Sequence, residues 1–281
     1  MDAIRRRLED AGVKPSKRKG QNFLKDANLA RAIVTDARIK ADEFVIEVGP
    51  GLGALTEHLL TTQKAGLLLV ELEADFCRKL QEDHPALMDD SFVNSDIRDV
   101  ALADILPNGV EHAVVVSNVP YSISTDMVLW VLRNSRYISR ASFLLQREFS
   151  ERIASPAGTR ECSSLSILTS YQARVSLGRI VSGDAFVPRA GVESRMLFIE
   201  PHRDFNFDVA PQSLEPVLRA SFLKRRKTIH NSLASAGFGS KSEVGAYLFS
   251  AGIDPVARAE SLQLSQFLEL TRVLIAAGVV G

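Results

Sequence analysis

The stretch VVSNVPYSIS, residues 115–124, changes character within a few positions. Val115 and Val116 read as the end of a buried strand. Asn118 then offers an amide, Pro120 fixes φ and removes a backbone donor, and Tyr121 offers an aromatic face. An amide, a carbonyl held in a rigid turn and a stacking ring together suit a flat guest that carries hydrogen-bond donors. A second group of this kind lies upstream. In VIEVGPGLGALTEHLL, Gly49, Gly51 and Gly53 fall between a strand pattern and a helical one. Glycines there permit a tight turn and close backbone approach to a ligand at a helix N-terminus. Glu71 ends the next apolar run, at about the twenty-residue spacing where an acid accepts hydrogen bonds from ribose hydroxyls. Asp96 closes the third run in VNSDIRD. Three ligand-facing groups at successive strand ends imply a nucleoside-containing cofactor. NAD and S-adenosylmethionine both satisfy that geometry.

Two features favour the sulfonium cofactor. Glu47 stands within the strand just ahead of the glycines, where a carboxylate can face a methionine ammonium directly or through an ordered water. Asn118-Val119-Pro120-Tyr121 also fits the Asn/Asp/Ser–apolar–Pro–aromatic pattern of methyltransferases that modify an amino group conjugated to a ring. The exocyclic amine of adenine is a poor nucleophile because its lone pair is delocalised. Accepting its two N–H bonds, one at the Asn118 amide oxygen and one at a main-chain carbonyl near Val119 or Pro120, favours a pyramidal nitrogen aimed at the methyl carbon. Tyr121 would stack on a base drawn out of its helix, as enzymes acting on base atoms require. No strong general base is needed, because the cationic product sheds its proton easily; positioning and desolvation carry the chemistry.

Elements that can place these groups are visible in the apolar rhythm. FVIEV, GLLLVEL, SFVNSD, HAVVVSN and ASFLLQ read as strands alternating with helical GALTEHLLTT, ADFCRKLQED and TDMVLWVLRNS. Such alternation indicates βαβ units and a parallel sheet covered on both faces. Helical REFSERIAS and SSLSILTSYQA follow, then two strand-like runs, RVSLGRIVS and SRMLFIEP. The polar, turn-rich segment 201–212 reads as a linker, and LEPVLRASFLKRRKTIHNSLASAG as the longest helical stretch of a helical tail. The expectation is an α/β, Rossmann-like methyltransferase domain over residues 1–203, with a basic N-terminal arm, and a small all-helical domain over 204–281. A hydrophobic content of 46% supports real cores, and equal counts of 34 basic and 34 acidic residues confine any nucleic-acid surface to local patches. Two cysteines are too few for a disulfide scaffold, which fits a reducing cytoplasm. No signal segment or membrane span is expected, and the five histidines have no metal-ligand spacing.

Beyond these readings, GQNFLKD, VIEVGPGLGALTEHL, LLLVELEADF, NSDIRDV, SNVPYSIS, LLQREFSERI, GDAFVPRAGVESRMLFIEP and SFLKRRKTIHNSL occur in order. Through them the chain resembles the ribosomal-RNA adenine N6,N6-dimethyltransferases of the small subunit, cousins of the erythromycin-resistance methyltransferases of the large subunit. The resemblance implies a Rossmann-like domain followed by a small helical one. It also implies methylation of two adjacent adenines in the 3′-terminal hairpin of small-subunit RNA, in the free RNA or a pre-small-subunit particle. On the matching positions, cofactor contacts fall on Asn22, Leu24, Gly49, Gly51, Glu71 (ribose), Asp96 (adenine amine) and Asn118. Catalytic positions fall on Asn118, Pro120, Tyr121 and Phe186, the last matching an aromatic that packs on the flipped base; plain core packing is its other reading. Ser122, Ala190 and Cys162 depart from the family pattern and are expected to touch the walls of the target pocket.

For the RNA, two local clusters stand out: Lys14, Lys17, Arg18 and Lys19 in the N-terminal arm, and Lys224, Arg225, Arg226 and Lys227 in the helical tail. Folded RNA is read largely through shape and phosphate contacts. A monomer is expected. Two other functions fit less of the chain: a large-subunit RNA methyltransferase conferring antibiotic resistance, and a non-catalytic assembly or transcription-factor-like relative.

Overall fold

The central strands are apolar almost without interruption because both of their faces are covered. The computed structural model describes residues 3–10, 12, 22–224 and 226–281. In chain order its first elements are α1 (Ala3–Asp10), β1 (Phe23–Leu24), α2 (Ala27–Asp36), β2 (Phe44–Val48), α3 (Thr56–Thr61), β3 (Gly66–Glu71) and α4 (Ala74–Asp83). Next come β4 (Phe92–Asn94), α5 (Leu102–Ile105), β5 (Ala113–Asn118), α6 (Ser124–Arg133), β6 (Ile138–Gln146) and α7 (Arg147–Ile153). They are followed by α8 (Ser164–Gln172), β7 (Ala173–Val181), β8 (Phe186–Val187) and β9 (Ser194–Pro201). The last are the helices α9 (Pro211–Ser221), α10 (Ile229–Ser235), α11 (Lys241–Ser250) and α12 (Leu264–Ala276).

Seven strands form one sheet in the order β4-β3-β2-β5-β6-β9-β7. The pairs β3–β4, β2–β3, β2–β5 and β5–β6 are parallel, and β6–β9 is antiparallel. The strand order reverses beside β2, so the carboxyl ends of β2 and β5 flank the crevice where doubly wound sheets bind ligands. The Ser117 hydroxyl donates to the Val48 carbonyl at 2.6 Å and locks those two ends together. A separate two-stranded ribbon brings distant motifs together. β1 pairs antiparallel with β8, with Phe23 opposite Val187 and Leu24 opposite Phe186.

The chain divides into two compact units: Met1–Ser150 with Val175–Pro201, and Glu151–Arg174 with His202–Gly281. The cut at 201/202 lies beside the expected boundary at 203/204, while residues 151–174, α8 among them, group with the C-terminal helices. Ile167 and Leu168 of α8 are buried. The Tyr171 hydroxyl donates to the Val209 carbonyl and accepts from the Val209 N–H, and its ring lies 5.0 Å from that of Phe207. The polar linker is thereby held against α8. One correction concerns the long helical stretch, which is split into α9 and α10. Thr228 is extended and caps α10 by accepting from the Asn231 N–H, while the Ile229 N–H is taken by the Ala257 carbonyl. Lys224, Arg226 and Lys227 lie in the turn between the two helices, all exposed.

Candidate active site

Among the described residues, one cavity at the carboxyl ends of β2, β3 and β5 is lined by Asn22, Leu24, Glu47, Gly49, Gly51, Glu71, Asn118, Pro120 and Tyr121. Most of the expected site thus comes together. The glycine loop is shaped by contacts that larger residues would forbid. Gly53 has φ +81°, and a Cβ there would sit 2.5 Å from Leu80 Cδ2. Gly51 has φ +54°, and its added Cβ would press on the Phe23 ring at 3.2 Å. The loop is tied to the neighbouring strand, since the Gly51 N–H donates to Glu71 Oε2 at 3.1 Å and the Glu73 N–H donates to Glu71 Oε1 at 2.9 Å.

Glu47 and Glu71 are both buried. Burial pushes the Glu47 carboxyl up to about 8, the Thr56 hydroxyl donating at 2.7 Å partly opposes this, and the neighbouring Glu71 adds to it. Burial also raises Glu71, against the pull of the backbone N–H donors of Glu73, Gly51 and Leu72. Neither carboxylate has a cationic partner among the described residues, and burying an unpaired charge is costly. This pair of acceptors therefore suits a ligand that brings ribose hydroxyls and a positive charge. This separates the two cofactors that the sequence left open. The pyrophosphate of NAD would bring negative charge to buried carboxyl groups that have no cationic partner among the described residues, whereas S-adenosylmethionine carries a sulfonium and an ammonium that favour their charged forms.

The Asn118 Nδ2 donates to the Asn22 carbonyl at 2.9 Å. That bond fixes the amide and leaves Oδ1 as an acceptor with no protein donor among the described residues. The Pro120 carbonyl accepts the Ile123 N–H at 3.0 Å, whereas among the described residues no main-chain N–H donates to the Val119 carbonyl. Tyr121 is half-buried, and its hydroxyl shares a 2.7 Å hydrogen bond with Ser194 Oγ. Burial raises the phenol, so it stays neutral near pH 7.

Several expected residues are placed otherwise. Asp96 does not line the cavity. It caps the turn Ile97–Asp99, accepting from the Arg98 N–H and Nε at Oδ1 and from Nη2 at Oδ2, 2.6 Å away. The Arg98 guanidinium holds the Asp96 carboxyl below its usual range. Phe186 is 1% exposed and packs in the core with Leu24, Val116, Leu144 and Met196. It supports the β1–β8 ribbon and shows no free face to a base, so the core reading replaces the stacking one. Phe186→Ala is accordingly expected to cost about 3–5 kcal/mol, while Phe186→Leu keeps both stability and methyl transfer near normal. Thermal melts and kcat on the same samples check this; a Leu variant that is stable yet inactive would restore the stacking role. Cys162 lies in the helical unit, buried, with its thiol directed at the Glu260 carbonyl, and Ala190 is buried in the core around Phe186. Those two departures are packing positions, while Ser122 is exposed beside Tyr121. Lys14, Lys17, Arg18, Lys19 and Arg225 lie outside the described residues.

Sequence reading alone missed Thr56, Ser117 and Ser194, which hold Glu47, the β2–β5 ends and Tyr121. Their partners lie 9, 69 and 73 residues away, and no local pattern marks such contacts.

A mostly parallel sheet with a switch point, a glycine turn and buried carboxyl groups at its carboxyl edge defines a Rossmann-like, S-adenosylmethionine-dependent methyltransferase. Residues 13–276 match the family described as ribosomal RNA adenine dimethylase, and the chain belongs to it. A relative from Lysinibacillus sphaericus, named ribosomal RNA small subunit methyltransferase A, is 34% identical over 275 residues, covering 95% of this chain and 93% of the relative. One of the same name from Geobacter metallireducens is 34% identical, with 96% and 99% covered. Among solved structures, a dimethyladenosine transferase from Plasmodium falciparum superposes with a TM-score of 0.71 at 21% identity, covering 92% of this chain and 99% of that one. The 23S rRNA methyltransferase ErmE superposes at 0.63 with 24% identity, covering 90% and 100%. These two likenesses confirm the fold.

Proposed function

We propose that this protein transfers methyl groups to N6 of two adjacent adenines in the 3′-terminal hairpin of small-subunit ribosomal RNA. It acts as a cytoplasmic monomer on the RNA or on a pre-small-subunit particle. The observation that carries this reading is the Asn118 amide, held through Nδ2 by the Asn22 carbonyl in the lining of the cavity that also contains Glu47 and Glu71. S-adenosylmethionine, when bound, supplies an electrophilic methyl group. Glu71 and the glycine turn hold the ribose end, and Glu47 meets the ammonium directly or through water. Asn118 Oδ1 and the Val119 carbonyl accept the two N–H bonds of the adenine amine, which raises its nucleophilicity and aims its lone pair. Tyr121, steadied by Ser194, stacks on the extruded base. Arg226 and Lys227 supply phosphate contacts.

The names of the curated relatives favour the small subunit over the large one. The test is labelling: purified protein with tritiated cofactor is expected to label small subunits that lack the modification, and digestion should yield dimethyladenosine. Label confined to large-subunit RNA would overturn the choice of substrate.

A further inference from the structure

α1 closes one side of the cofactor cavity. Ile4 and Arg7 line it together with Gly51 and Glu71. Leu8, 2% exposed, packs on Leu52 and Phe76. Although Arg7 belongs to a run of three arginines that reads as part of a solvated basic arm, its guanidinium is turned onto the glycine turn. Nη2 donates to the Leu52 carbonyl at 2.7 Å. The same group reaches Glu57 Oε1 at 3.1 Å on α3 and Asp83 Oδ2 at 3.2 Å on α4.

The Leu52 carbonyl is the important partner. Leu52 is 4% exposed and sits between the two glycines whose positive φ angles shape the turn. Among the described residues no main-chain N–H donates to that carbonyl, and a buried carbonyl needs a donor. We infer that Arg7 is a positioning residue for the cofactor site, holding the glycine turn in its ligand-receiving form through the Leu52 carbonyl. The two ion pairs are partly exposed and contribute little by themselves. Their role is orientation, because they hold the planar guanidinium with one N–H aimed at the carbonyl. Cofactor affinity, more than the chemical step, should then depend on Arg7.

The inference rests on reading this cavity as the S-adenosylmethionine site, and the experiment separates the two. Binding of S-adenosylhomocysteine is measured by calorimetry for wild type, Arg7→Met, Arg7→Lys and the Glu57→Gln/Asp83→Asn double variant. Amide exchange of the loop is followed without ligand, and KM and kcat are measured with RNA. Loss of a charge-assisted hydrogen bond predicts that Arg7→Met weakens binding about ten- to a hundredfold. The cofactor KM should rise in parallel, kcat at saturation should stay within about twofold of wild type, and exchange at Gly51 and Gly53 should quicken. Arg7→Lys should recover part of the loss, and the double variant, which leaves the guanidinium free to turn from the carbonyl, should fall between wild type and Arg7→Met. Wild-type affinity in Arg7→Met, or a lowered Tm with unchanged affinity, overturns the positioning role while leaving the site reading intact. Failure of the wild type to bind the cofactor product overturns both.

Discussion

Asn118→Ala is expected to lower kcat about 10²–10³-fold, the scale seen when one aligned polar contact to a reacting group is removed. Affinity for S-adenosylhomocysteine should fall less than about tenfold, because Glu71, Glu47 and the glycine turn remain. The asymmetry follows from the geometry. The Asn118 Nδ2 is spent on the Asn22 carbonyl, so the oxygen is the part of the amide left for the target. Asn118→Asp gives the sharper comparison. It keeps an acceptor but loses the donor to Asn22, placing negative charge beside a carbonyl and near two buried carboxylates. It should therefore recover only part of kcat, with a pH dependence that wild type lacks. Single-turnover methyl transfer at saturating cofactor checks both variants. A near-normal rate in Asn118→Ala would remove the amide from the chemistry.

The contrast between Asn118 and Phe186 shows what was legible in the chain. Asn118, Gly49, Gly51 and Glu71 stand at the ends of apolar runs, and a parallel sheet delivers strand ends to one edge, so a linear pattern places them. The rest depends on contacts between distant segments. The two-residue ribbon of Phe23-Leu24 with Phe186-Val187 is too short to announce itself by alternation. Yet it decides that Phe186 faces the core and that the Asn22 carbonyl meets Asn118. Asp96 stands at a strand end as expected, but its neighbour Arg98 competes for the carboxylate. A cofactor amine that bonds Asp96 has to share it. The helical tail was legible in type and not in its breaks. Helical periodicity continues across Phe222–Thr228, and only the Thr228 cap and the Ala257 carbonyl show that the chain turns there.

Cofactor binding is expected to release a proton from Glu47. In the ligand-free protein burial lifts this carboxyl to about 8, so at pH 7 it is mostly neutral. A cation delivered to the cavity favours the charged form and lowers the value again. By linkage, affinity should then rise roughly tenfold between pH 6 and 7 and level off above about pH 8. The amine of the ligand titrates as well, but it does so equally with wild type and Glu47→Gln, so the difference between them isolates the protein's own proton. Calorimetry at pH 7 in buffers of different ionisation enthalpy should count close to one proton released by wild type beyond the Glu47→Gln value. Stability carries the opposite sign. With a folded value above the unfolded one, the contribution of Glu47 is fully present below the unfolded value near 4.5 and is lost as pH rises through about 8. Ligand-free Glu47→Gln should therefore melt above wild type at pH 9 and close to it at pH 5. Equal proton release by the two proteins would show that Glu47 keeps one charge state through binding, and parallel stability curves across that range would show that burial does not raise its folded value.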